Sequence, residues 1–224
     1  MNGSKRAPWH WCDVGMANLI TLGRFLLLFL LVASAYSAPP IWQLGNAPLL
    51  FLIIALDGVD GYVARKRNET SVFGSIFDIA IDRVVENVLW VVLADLGLVP
   101  IWVAIVFITR SSIVDSIRYA AISHGETAFG SIHSQLGRVL VSGRFMRGFY
   151  GALKAITFGW AFFLQPLPIL FPSAWQHYSV PALWITGFLV YASVVICLLR
   201  ALPVILEFLN ESRPFRRTKP AGVL

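Results

Sequence analysis

Six stretches of this chain are apolar and long enough to cross about 30 Å of hydrocarbon: residues 17–38, 47–66, 71–95, 99–122, 147–169 and 181–206. In lipid an unpaired backbone amide is costly, so each stretch is expected to be a helix. The expected fold is an all-α integral membrane protein of six transmembrane helices. A short interfacial helix over residues 8–16 precedes them, where Trp9, Trp11 and Met16 suit the head-group level. The expected organisation is a cytoplasmic juxtamembrane segment at 1–16, a membrane domain at 17–208 and a basic tail at 209–224. Hydrophobic residues make up 57% of the chain and charged residues only 13%, about half the roughly 25% usual for soluble domains. The runs leave no stretch for a separate soluble catalytic domain. Leu26–Leu31 followed by Ala33–Ala38 is similar to the core and cleavage site of a secretory signal, but its leader would be long and would include Asp13. It is read as the first span.

The few charges are unevenly placed. The connections at 36–47, 95–103 and 166–182 hold no Lys or Arg, whereas Lys5, Arg6, Arg65–Arg67, the Arg118–Arg147 region and the Arg213–Lys219 tail fall in segments that six spans place on one side. The positive-inside rule puts that side, with both termini, in the cytoplasm, so the expected location is the inner (cytoplasmic) membrane. The net charge of +6 is thereby read as topology and attraction to anionic lipid, and a nucleic-acid partner is not expected. Cys12 and Cys197 suggest neither a disulfide framework nor a zinc site.

Against this background, four carboxylates inside spans two and three need a reason. Asp57 and Asp60 are three apart, and Gly61 and Ala64 continue nearly the same helical face. On span three, Gly74, Asp78 and Asp82 recur at intervals of four. In an antiparallel hairpin turning near Asn68–Thr70, Asp57 faces Asp82 and Asp60 faces Asp78, so the four can meet. The nearer pair lies about nine residues, roughly 13 Å, from the turn, shallow enough for a watered cytoplasmic cavity. Four facing carboxylates repel unless a cation neutralises them. Hard oxygen ligands without nearby Cys or His favour Mg²⁺ or Mn²⁺ over zinc, and magnesium completes its shell with water and substrate phosphate. Two other readings stay open. The acids can pair with Arg24, Arg83, Arg110 or Lys154 to hold helices together, or they can line a cation or proton path, although transport leaves Gly61, Ala64, Arg65 and Gly74 unexplained.

The pattern Asp57-x-x-Asp60-Gly61-x-x-Ala64-Arg65, then eight residues, then Gly74-x-x-x-Asp78-x-x-x-Asp82, resembles the signature of the CDP-alcohol phosphotransferase (phosphatidyltransferase) family at every position. The six-span layout extends the likeness over most of the chain. The resemblance implies a phospholipid-synthesising enzyme that transfers the phosphatidyl group of CDP-diacylglycerol to an alcohol and releases CMP. It implies that Asp57, Asp60, Asp78 and Asp82 hold metal, two ions of Mg²⁺ or Mn²⁺, with Asp82 also the general base. It implies that Gly61, Ala64, Arg65 and Gly74 contact the nucleotide, and that the enzyme is a homodimer. Small residues let a cytidine diphosphate lie against the helices, and Arg65 can fork onto phosphate.

The acceptor is read from weaker signals. Arg144, Arg147, Gly151 and Lys154 share a face at the start of span five, and Arg118 and Arg200 lie toward inner helix ends. A basic pocket favours a phosphorylated acceptor, with glycerol 3-phosphate expected first and inositol phosphate second; inner basic residues also snorkel to head groups without binding substrate. Asn18, Thr21 and Arg24 share one side of span one, in a segment similar to the first helix of bacterial phosphatidylglycerophosphate synthases, and are candidates to bound the donor pocket. Against that branch, Asp82 is followed by Arg83 rather than lysine, which is closer to the inositol-phosphate branch. Glu86 is expected to pair with Arg83, and Asp115 with Arg118. His124, His133 and Glu126 are read as solvated.

Overall fold

In a computed structural model, residues 16–67, 72–123 and 143–211 are described; within helices, the side chains of Met16–Asn18, Asp60–Arg65, Arg67, Val72, Phe73, Ser75, Ala120–Ser123, Arg144, Asn210 and Glu211 are not. The interfacial helix expected at 8–16, the loop histidines and most of the basic tail therefore lie outside the described residues. The described chain is helical: α1 (Met16–Ser37), α2 (Pro40–Gln43), α3 (Asn46–Arg67), α4 (Val72–Asp95), α5 (Ile101–Ser123), α6 (Arg144–Leu164), α7 (Leu167–Leu170) and α8 (Pro172–Glu211).

Four stretches, Leu19–Ser37, Pro40–Val59, Phe145–Leu170 and Pro172–Leu209, are long and apolar enough to cross a membrane. Helices α4 and α5 have similar lengths, 24 and 23 residues, but carry several charges along them. The last helix departs from expectation. A connection was expected up to residue 182, yet α7 and then α8 occupy most of it, and α8 runs for 40 residues with Pro181 and Pro203 inside. Pro172 at the first position starts the helix without losing a bond, because the amide it lacks would have had no intrahelical partner. Prolines within a membrane helix are tolerated where neighbouring helices support the turn.

The six long helices close a ring in which α1 packs on α3, α3 on α6, α6 on α8, α8 on α5, α5 on α4 and α4 on α1. Helices α3 and α4, adjacent in sequence, both pack on α1, and the turn expected between them near Asn68–Thr70 lies outside the described residues. The apolar core lies about two turns beyond the carboxylates: Trp90 of α4 is fully buried and stacks on Phe107 of α5 at 4.2 Å and edge-on against Phe158 of α6 at 4.6 Å. Large side chains such as Phe188 and Trp184 of α8 point outward, as lipid-facing residues do.

At the end remote from the carboxylates, polar groups fasten the helices. Tyr36 Oη donates to Asp95 at 2.6 Å, Ser34 Oγ donates to Asn46 at 2.7 Å, and Gln165 Nε2 reaches across to the Ala35 carbonyl at 2.7 Å. Helix α4 stops at Gly97, whose φ of 70° is disfavoured for other residues. There Leu98 N bonds Leu93 O at 2.9 Å and Gly97 N bonds Ala94 O at 3.1 Å, the two reversed bonds of a Schellman cap.

Candidate active site

Helix periodicity carries Asp78 and Asp82 on one stripe of α4, and α3 presents Asp57 toward them. The three carboxylates each place an oxygen within 4.8 Å of the others, the spacing of a group able to hold a metal ion. Of the fourth expected ligand, Asp60, only its place on α3 is described, one turn from Asp57 toward the helix end; the same holds for Gly61, Ala64 and Arg65. Gly74 lies one turn before Asp78 on α4 and is partly buried.

The cluster is asymmetric. From α1, Arg24 inserts its guanidinium against it: Nη1 pairs with Asp57 Oδ1, Nη2 lies 2.7 Å from Asp82 Oδ1 and 3.3 Å from Asp78 Oδ1. Arg24 is 2% exposed, whereas the Asp57, Asp78 and Asp82 side chains are 45%, 41% and 49% exposed. One side of the carboxylate group is sealed by a buried cation and the other is open. Arg24, Asp57 and Asp82 line a cavity of ≈ 340 Å³ together with Glu86, Gly151 and Lys154. The described donor set of the cluster is three hard carboxylates, which fits a divalent cation of the magnesium or manganese type.

In the cavity's lining Lys154 Nζ lies 2.8 Å from Glu86 Oε1 and 4.5 Å from the centre of the Tyr150 ring. Glu86 also meets Arg83 at 3.5 Å, as its spacing implied, and Arg83 reaches Asp115 of α5 at 2.6 Å. Asp115 meets Arg118 at 4.0 Å. Of the basic residues read as an acceptor pocket whose side chains are described, Lys154 lines the cavity. Arg200 stacks its guanidinium over the same Tyr150 ring, 5.3 Å from its centre, and it and Arg118 are close enough to Arg110 to feel its charge. Arg147 is exposed, and Arg144 is described only as the first residue of α6.

Two features were not assigned from sequence. Arg24 was placed at the rim of a donor pocket or, alternatively, among several cations that could pair with acids; its contact with three carboxylates at once was not foreseen. A lone arginine well inside the first apolar run was the available signal, because a buried guanidinium demands anionic partners. The Glu86–Lys154 pair was also missed, although Glu86 continues the four-residue rhythm of Asp78 and Asp82.

Comparison with known proteins adds to this geometry. The family model for CDP-alcohol phosphatidyltransferase matches residues 14–167. A CDP-diacylglycerol--glycerol-3-phosphate 3-phosphatidyltransferase of Bacillus subtilis is 26% identical over 182 residues, 73% of this chain and 93% of that protein. A CDP-diacylglycerol--inositol 3-phosphatidyltransferase 1 of Arabidopsis thaliana is 34% identical over 79 residues, 35% of this chain and 33% of that protein.

Proposed function

The chain belongs to the CDP-alcohol phosphatidyltransferase family, a family of phospholipid-synthesising transferases, and from that premise we propose that it transfers the phosphatidyl group of CDP-diacylglycerol to glycerol 3-phosphate and releases CMP. The observation that carries the reading is the meeting of Asp57, Asp78 and Asp82, two of which, Asp57 and Asp82, line a cavity together with Lys154. The match with the Bacillus protein along nearly its whole length supports glycerol 3-phosphate as acceptor. Inositol phosphate is the second reading, favoured by Asp82-Arg83 and by the local likeness to the Arabidopsis protein.

In this reading Asp57, Asp60, Asp78 and Asp82 hold Mg²⁺ or Mn²⁺, two ions in all. When bound, the metal offsets charge on the donor's pyrophosphate and on departing CMP. The residues supply the rest. Gly61, Ala64 and Gly74 leave room for the nucleotide, and Arg65 grips its phosphate. The acceptor hydroxyl oxygen attacks the phosphatidyl phosphorus, the bond from that phosphorus to the CMP oxygen breaks, and CMP leaves with the electron pair while Asp82 takes the hydroxyl proton. Lys154, with Arg118, Arg144, Arg147 and Arg200 toward the same end of their helices, attracts the acceptor's phosphate.

The proposal includes six spans, with α4 and α5 crossing as well. Their length and their places in the closed ring support this, and their charges are turned inward: Arg83 to Asp115, and Lys154 of α6 to Glu86. The enzyme then sits in the inner membrane as a homodimer with both termini in the cytoplasm.

The test is CMP release by purified protein in detergent with CDP-diacylglycerol and Mg²⁺ or Mn²⁺, supplied with glycerol 3-phosphate, inositol phosphate, serine or no acceptor. Release that requires glycerol 3-phosphate, stops with EDTA and returns with metal is expected. Release that follows inositol phosphate instead moves the acceptor, and no release with any acceptor overturns the reading.

A further inference from the structure

The Arg24 guanidinium does more than line the cavity: it touches all three described carboxylates, at the Oδ1 atom of each. Three carboxylates this close raise one another's energy unless cations intervene. Arg24 offsets part of the negative charge of this group and leaves the rest for a divalent ion. It comes from α1, the helix that packs on both α3 and α4, so the contact also decides how far apart the two motif helices stand. A guanidinium and a metal compete for the same oxygens, because a carboxylate oxygen turned toward the arginine is not at once a close ligand of a small cation needing 2.0–2.1 Å bonds.

We propose that Arg24 is a built-in counter-ion of the carboxylate cluster, holding Asp57, Asp78 and Asp82 together without metal and giving up those contacts as metal binds. The inference rests on the metal-binding part of the function proposed above. Released from the cluster, the guanidinium still lines the cavity, where a phosphate-bearing substrate supplies new anionic partners. Metal binding and substrate binding then reinforce each other through one side chain. Metal draws Arg24 off the acids, and substrate phosphate keeps it from returning.

The experiment needs neither donor nor turnover. Mn²⁺ affinity is measured by electron paramagnetic resonance on the full-length protein in detergent, together with thermal midpoints in EDTA and in Mn²⁺, for the wild type, Arg24→Gln and Arg24→Lys. Expected for Arg24→Gln is about tenfold tighter Mn²⁺ binding, a magnitude ordinary for coupling between two ligands. A lower midpoint in EDTA and a larger rise on adding Mn²⁺ should accompany it. Arg24→Lys, which keeps the charge on one ammonium, should fall between, and decides the matter by the same readouts if Arg24→Gln does not fold. Wild-type Mn²⁺ binding with equal or weaker binding in the variants overturns the counter-ion role while leaving the catalytic reading intact. Absence of Mn²⁺ binding in the wild type overturns both.

Discussion

Among single residues, Asp82 and Lys154 separate two roles within one cavity that both line. Asp82→Asn removes a negative charge and a proton acceptor with almost no change of shape. CMP release is expected to fall by about 10²–10⁴, the usual worth of a positioned base. Lys154→Gln keeps much of the stem and loses the ammonium that faces Glu86 at 2.8 Å. Its KM for glycerol 3-phosphate is expected to rise about tenfold or more, while KM for CDP-diacylglycerol stays within about twofold, since a charged hydrogen bond is worth roughly 1.5–3 kcal/mol. Steady-state CMP release with each substrate varied in turn checks both, and a matching rise in donor KM would remove Lys154 from the acceptor side. Asp57, Asp78 and Asp82 were legible in the sequence because their spacing is a helix period and carboxylates are rare in apolar runs. Arg24 was one of four cations that could pair with them; that it meets all three was not legible, because its partners lie 33, 54 and 58 residues away and no period links such distances.

Among elements, hydropathy placed α1, α3, α4 and α5 to within about two residues, because each apolar run ends in a segment of changed composition. It misplaced the start of α8. Pro181 reads as a helix start in sequence, yet it sits inside a continuous helix from Pro172. The approach of spans two and three was legible, since their carboxylates do meet; that α1 packs against both was not, because a charge stripe says which faces approach and not which further helix joins them. The stop of α4 offers a test away from the site. Gly97→Ala must hold φ near 70° with a Cβ, which costs about 1–2 kcal/mol. A thermal midpoint a few degrees lower with metal-dependent CMP release retained is the expected result. An unchanged midpoint would show that the cap relaxes freely.

At the scale of the whole molecule, charge asymmetry and the closed ring lead to the same arrangement, with acids and bases toward one end of the bundle and aromatic packing toward the other. If the termini share the cytoplasmic side, a protease-cleavable tag at either end is cut in inside-out vesicles and protected in right-side-out ones. Opposite protection of the two tags would remove one span from the count. The ring also sets a schedule for the newborn chain. Arg24 precedes Asp57 by 33 residues and Asp82 by 58. At about 5–20 residues per second, the ribosome takes roughly 3–12 s to deliver the last of those acids. Until then the first helix carries a guanidinium whose set of partners is incomplete, so its final seat in the bilayer waits on the arrival of the third long helix.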